Sequence, residues 1–211
     1  STLFTNKLEA FYEPIRPENG GTCTLVHGDL RGDNLFFCPE SKAYPNGWLT
    51  IDFQLMTRGP IPSDLAYLMN TGTVLPEVYD PSNRDKIMAR FFEAFMDQTS
   101  LYKQYTYEQF RKEYMVMSTV LLIYYIGFGA NIWQAGLNNE QASRVEMGDK
   151  GETEADLTPE ERRQRMWWRK ATANFRVTYK DYDVFEQLSA MPDNQGEMGP
   201  WLEVPERLRN R

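Results

Sequence analysis

The apolar positions of this chain change their period at about residue 63. Before that point, residues 3–12 place Leu3, Phe4, Leu8 and Phe11 at helical spacings, which predicts a short amphipathic helix. "ENGGT" breaks the pattern. Three short runs of β-forming residues follow at 22–26 (TCTLV), 35–37 (LFF) and 48–53 (WLTIDF), separated by turn residues such as "PNG". The economical expectation is three short strands set around polar loops.

From Ser63 the spacing is helical. "SDLAYLMN" opens with a Ser/Asp start signal after Pro62, and over 84–97 Ile87, Phe91, Phe92 and Phe95 fall at helical intervals. Another helix, over about 107–128, runs from an amphipathic first half into "MVMSTVLLIYYIGFGA", whose apolar second half should be surrounded by protein. That block, about 16 residues long, is shorter than the roughly 18 to 20 needed to cross a bilayer, so no membrane span is expected. Residues 137–161 are polar, acid-rich and nearly free of large apolar side chains, which reads as a surface insertion. The helical pattern then resumes with Thr158 as N-cap, Pro159 at the first helical position and acids in the first turn. "GEMGPWLEVPERLRNR" at the end is punctuated by Pro and Gly and should wrap the surface.

Composition narrows the class. A hydrophobic fraction of 41% with 14% aromatics in 211 residues supports a packed core, with length for one substantial domain or two small ones, and the element pattern leads us to expect a single α+β, mainly helical domain over 1–211. The net charge of -7 would repel a phosphate backbone, so nucleic acid is not expected as a partner. Two cysteines, Cys23 and Cys38, are too few for a disulfide framework and read as reduced thiols, with a single bridge between them as the alternative. The first residues show no secretory signal, and a cytoplasmic location is expected. The absence of an initiator methionine suggests a processed or excised piece.

The chemistry concentrates in "LVHGDLRGDN", residues 25–34. Phosphoryl transfer from a nucleotide needs hard oxygen ligands for magnesium and a group that orients the accepting hydroxyl and takes its proton. Asp29 falls at the start of a loop leaving the first strand, and Asn34 where the chain re-enters a strand, so a turn can bring the two together. Asp52, in "IDFQ", ends an apolar strand and can point into the same space. Taken singly, these three are equally a turn aspartate, a turn asparagine and a strand-end aspartate. Asp33 reads as a solvated turn residue. "MWWRK", with Trp167 and Trp168, suits helix packing better than a stacking pocket.

"VHGDLRGDN" followed by "LTIDFQLMTRGPIPSDLAYLMN" resembles the C-terminal lobe of the aminoglycoside phosphotransferase and choline kinase-like superfamily, especially its ecdysteroid-kinase-like branch. The order of the motifs, the gap of about 18 residues between Asn34 and Asp52, and the trailing "GP" and "DLAYL" agree with one another. The resemblance is close over residues 22–71, the catalytic core, and general beyond it. It implies a protein-kinase-like C-lobe with short β-hairpins around the catalytic loop, and transfer of the γ-phosphate of ATP or GTP to a small-molecule alcohol. It makes Asp29 the catalytic aspartate, Asn34 and Asp52 the residues that hold Mg²⁺ and the nucleotide phosphates, and His27 a scaffold residue of the loop. Asp64 becomes a brace for the loop. Arg31 is placed near the transferring phosphate, where a guanidinium can neutralise developing charge, although a surface arginine is an equal reading. The acceptor should lie against the helices at about 107–135 and 160–190, near Tyr124, Tyr125, Trp133, Trp167 and Trp168.

A kinase of this kind also needs a glycine-rich turn over the phosphates, a lysine on the α and β phosphates and a glutamate orienting it. The 26 residues before His27 contain no such set, so the nucleotide lobe is expected to be absent from this chain and supplied in cis or in trans. Three readings follow: the C-terminal lobe of a small-molecule kinase, inactive without its N-lobe; a non-catalytic kinase-like lobe serving as a binding or structural module; and metal-assisted phosphate ester hydrolysis by Asp29 and Asp52. Clustered carboxylates are costly to retain without use, which favours the first.

Overall fold

The computed structural model describes residues 13–40, 42–71, 73–75, 78–100, 103–136 and 158–190. The predicted helix at 3–12, most of the acid-rich stretch at 137–161 and the terminal segment lie outside the described residues.

Two antiparallel strand pairs and five helices make up the architecture of this part. β1 (Thr24–Val26) pairs with β4 (Thr57–Gly59), with Leu25 opposite Arg58. β2 (Leu35–Phe37) pairs with β3 (Trp48–Thr50), with Phe36 opposite Leu49, and the Cys38 N–H to Gly47 carbonyl bond of 2.7 Å extends this hairpin towards its turn. The helices are α1 (Ser63–Asn70), α2 (Pro81–Gln98), α3 (Tyr107–Gly136), α4 (Pro159–Asp181) and α5 (Val184–Ala190). The fold is α+β and mainly helical. No helix among the described residues is long and apolar enough to cross a membrane, and Cys23 and Cys38 carry free thiols.

Several boundaries differ from expectation, each for a local reason. The first strand starts at Thr24, not at residue 22, because the Thr22 N–H and hydroxyl are both taken by the Glu113 carboxylate on α3, at 3.1 and 2.6 Å. The third ends at Thr50 rather than 53, since Asp52 turns into the left-handed region with φ 65°. β4 was not expected: "TRG" carries no apolar alternation and is a strand only because β1 offers it an edge. α2 begins at Pro81, three residues early, where the Asp80 side chain accepts from the N–H groups of Ser82 (2.9 Å) and Asn83 (3.3 Å). α3 runs on to Gly136 instead of ending near 128. The final helical run divides at Asp183, whose φ of 50° separates α4 from α5.

The core lies among the helices. Leu65, Ala66 and Met69 of α1 pack with Phe110, Tyr114 and Met115 of α3, and with Ala171 and Phe175 of α4. Asn70, at the end of α1, ties the three together: its Nδ2 donates to the Ala66 carbonyl (2.8 Å) and Ser118 Oγ (3.1 Å), while its Oδ1 accepts from the Tyr79 hydroxyl (2.8 Å) and the Thr178 hydroxyl (3.1 Å). Arg84 on α2 is 0% exposed, paired with Asp85 at 2.9 Å and with Asp181 of α4, and lies 4.9 Å over the Tyr182 ring. A buried guanidinium of this kind is tolerable only because two carboxylates and a ring face surround it. The catalytic-loop candidates therefore stand on a helical base fixed by both apolar packing and paired polar groups.

Candidate functional site

β1 delivers the chain into the loop through His27 and Gly28. The Asp29 N–H donates to His27 Nδ1 at 3.2 Å, which assigns the ring proton to Nε2, and Nε2 lies 2.8 Å from the Ile51 carbonyl that accepts it. Both ring nitrogens of His27 are thus engaged by backbone. Gly28 has φ +81° and sits so close to the next layer that a Cβ would lie 2.4 Å from the Leu55 carbonyl oxygen, so no side chain fits there. Gly32 has no strained backbone, but a Cβ would meet Thr73 Cγ2 at 2.9 Å, and its N–H donates to Thr73 Oγ1 at 2.8 Å. These two glycines let the loop lie flat on what supports it.

Asp64, on the first turn of α1, is part of that support. Its carboxylate accepts from the His27 N–H at 2.7 Å and the Gly28 N–H at 3.0 Å, two donors that have no strand partner at that point. Asp29 is 8% exposed and Asn34 is 4% exposed. Asn34 Nδ2 donates to the Asp29 carbonyl at 2.9 Å and reaches Asp29 Oδ2 at 3.3 Å, closing the loop on itself. Arg31 Nε faces the same Oδ2 at 3.6 Å, and its Nη1 lies 4.0 Å from the exposed Asp33.

Asp52 arrives by a different route. The Ile51 N–H donates to the Asn34 carbonyl at 3.1 Å while the Ile51 carbonyl accepts from His27, so the peptide before Asp52 is fixed from both sides. The left-handed backbone at Asp52 then turns its carboxylate into an exposed position, where Gln54 Nε2 is a partner at 3.4 Å. Asp29 and Asn34 are in direct contact, and Asp52 is joined to them through one backbone step.

Reasoning from sequence missed Tyr67. It is half-buried on α1, near enough to the Asp29 carboxylate and to Tyr125 of α3 to feel both electrostatically. Burial, the neighbouring Tyr125 and the Asp29 carboxylate hold its phenol well above the usual tyrosine range, so it stays a hydrogen-bond donor. Tyr125 is also raised by burial, with the Tyr67 and Thr71 hydroxyls and Arg31 acting against the shift. The available signal was position: Tyr67 is one helical turn after Asp64. Of the aromatic residues expected at the acceptor side, Tyr125 is half-buried with its ring 5.5 Å from that of Phe175, and Tyr124 is exposed; the side chains of Trp133, Trp167 and Trp168 lie outside the described residues.

A largely apolar groove of about 600 Å³ opens beside the loop, lined by Leu25, Leu35, Phe37, Trp48, Phe53 and Met56 together with His27 and Asp64. Phe37 is 81% and Leu25 66% exposed, and the Phe53 ring lies 4.8 Å from that of His27.

Residues 2–104, just under half of the chain, are similar to the model of the Ecdysteroid kinase-like family. The match includes Asp29, Asn34, Asp52 and Asp64 and stops before α3. Neither a curated protein nor a solved structure matches the chain.

Proposed function

We propose that this chain is the C-terminal catalytic lobe of a kinase that moves the γ-phosphate of ATP or GTP onto the hydroxyl of a small-molecule alcohol. The observation that carries this reading is the coupling of three side chains through few atoms: Asn34 bonds Asp29 directly, and the Ile51 peptide, held by Asn34 and His27, presents Asp52.

Asp29 receives the proton of the acceptor hydroxyl on its carboxylate as that oxygen attacks phosphorus. Its orientation comes from Asn34 Nδ2 and from Arg31, whose charge also lies close enough to offset negative charge building on the transferred group. The donor set suits Mg²⁺: Asn34 uses its amide nitrogen on Asp29, which leaves Oδ1, and Asp52 holds an open carboxylate, so both offer hard oxygens. Bound there, the ion would neutralise the nucleotide phosphates. His27, with both nitrogens committed to backbone, keeps the loop in shape and takes no part in proton transfer.

Gripping the nucleotide calls for a glycine-rich turn and a phosphate-binding lysine, a set not found among the described residues. The exposed apolar groove along β1, β2 and β3 supports a lobe seated there, in cis or from another chain. Free thiols at Cys23 and Cys38 suit a reducing, cytoplasmic setting.

The test is Mg²⁺-dependent nucleotide turnover with an alcohol acceptor, using the chain together with its nucleotide lobe. Asp29→Asn should lower kcat by about 10²- to 10⁴-fold, the span ordinarily lost with a general base, and Asp52→Ala should remove most of the rate and raise the Mg²⁺ concentration needed for what remains. Turnover unchanged in both variants would end the assignment.

A further inference from the structure

The single helical turn Gly32–Asn34 opens without a cap of its own. Arg31 stands at its N-terminal position and gives it no side-chain bond, while the Asn34 N–H closes the turn on the Arg31 carbonyl at 2.9 Å. The leading N–H of such a turn has no partner inside it. Thr73, 41 residues further along the chain, supplies one: its Oγ1 accepts the Gly32 N–H at 2.8 Å, and its methyl carbon fills the space a Cβ on Gly32 would need, at 2.9 Å.

Thr73 is itself held from a third element. α1 ends at Asn70, and the carbonyls of its last turn find no N–H further along the helix. Asn174 of α4 is 0% exposed, and its Nδ2 donates to the Met69 and Val74 carbonyls, both at 2.9 Å. One amide thus pins both sides of the bend on which Thr73 lies. Thr178, one turn further along α4, donates to Asn70 Oδ1 at 3.1 Å, so the same helix also holds the end of α1.

We propose that Thr73 is a positioning residue that caps the turn of the catalytic loop and so sets where Asn34 offers its oxygen to Mg²⁺, with Asn174 of α4 holding Thr73 in place. This deepens the kinase reading and rests on it. The bonds from Asn34 Nδ2 to the Asp29 carbonyl and carboxylate orient the amide, but the turn beneath decides where the whole side chain sits. Mg²⁺ is exacting about ligand distance and angle, so a small rotation of that turn would weaken its hold. α4, one of the two helices expected to face the acceptor, is in this way joined to Asn34 through the Val74 carbonyl, Thr73 and Gly32.

Amide hydrogen exchange reads the cap without any turnover. In the ¹⁵N-labelled chain, Thr73→Val keeps the shape and removes the acceptor, and should speed exchange at Gly32 about threefold to tenfold, the worth of one neutral hydrogen bond. Thr73→Ser keeps the hydroxyl and should leave Gly32 as it is, with Phe110 and Tyr114 of α3 as controls for a general loss of stability. Asn174→Leu should speed Gly32 exchange likewise; if that variant does not fold, the Asn174 side-chain protons of the wild type carry the test and should both be protected. In the enzyme with its nucleotide lobe, Thr73→Val should raise the Mg²⁺ concentration for half-maximal rate about threefold to tenfold with the acceptor KM unchanged, and Thr73→Ser should keep the wild-type value. A loosened fold would instead lower the rate at every Mg²⁺ concentration. Gly32 exchange indifferent to Thr73→Val, Asn174 side-chain protons that exchange freely, or an unchanged Mg²⁺ dependence overturns the proposal while leaving an active kinase. A wild type that transfers no phosphate removes the kinase reading itself, and the proposal falls with it.

Discussion

At the scale of single residues, the loop is a set of backbone groups each given a partner. Asp64 shows the energetic side of this. Removing its carboxylate leaves two N–H groups without acceptors beside buried His27, and hydrogen bonds to a charged partner contribute about 1.5–3 kcal/mol each. Asp64→Ala should lower stability by about 3 kcal/mol in urea unfolding, and Asp64→Asn, which keeps one acceptor oxygen, by less. A change under about 0.5 kcal/mol, the level of an ordinary surface substitution, would show that Asp64 carries no such load. Part of this scale was legible in "HGDLRGDN": Asp29 and Asn34 make the contact their spacing suggested. The bond from Gly32 to Thr73 was not legible, because it depends on where the end of α1 meets the loop, and residue type says nothing of that.

Among elements, the strands were the harder part to read and the helices the easier. "SDLAYLMN" forms a helix over the residues expected because its apolar face and Asn70 are buried; the Ser/Asp pair supplies no cap, since Ser63 donates to the Pro60 carbonyl and Asp64 serves His27 and Gly28. Short strands lack this redundancy: Thr22 was lost to Glu113, and "TRG" was recruited by β1. Glu113 is the joint between the chain entering β1 and α3. Burial raises its carboxyl above the ordinary 4.5, with the Thr22 and Tyr105 hydroxyls and Gln109 opposing the shift. A carboxyl raised in the folded state binds its proton at higher pH when folded than when unfolded. The cost of burying its charge is therefore present at neutral pH, is relieved as pH falls through the folded value, and is fully gone below the unfolded value. Glu113→Gln has no such slope, so its stability relative to wild type should decline as pH falls from neutrality towards the ordinary carboxylate range in matched urea titrations. A flat difference over that interval would contradict the burial argument.

Across the whole molecule, apolar surface is distributed unevenly. Among the described residues the helical side encloses most of its large apolar side chains, Tyr124 and Met166 excepted, whereas Leu25, Phe36, Phe37, Trp48, Phe53 and Leu55 on the strand side are exposed. A patch of this kind marks an interaction face or a route to self-association. The chain without a nucleotide lobe should bind an apolar fluorophore and associate at high concentration, and Leu25→Glu with Phe37→Glu should reduce both without loss of helical signal. Dye binding unaffected by the pair would place the sticky surface elsewhere. None of this exposure was legible beforehand, because a run such as "LFF" reads the same whether its outer face meets a core or a second body. The order of elements and the acid, amide and acid of the loop were legible because they depend on local spacing.

The hold of Asp64 and Thr73 on the loop has a consequence for length. Each residue added to a helix turns everything beyond it by about 100° and advances it about 1.5 Å. One residue inserted directly after Asp64 would leave Asp64 on His27 and Gly28 while turning Leu65, Ala66, Met69 and Asn70 away from the core and carrying Thr73 off Gly32, and a deletion would do the same in the opposite sense. The segment from Ser63 to Thr73 is thus bound in its residue count as strictly as a hinge pin is bound to the spacing of its knuckles.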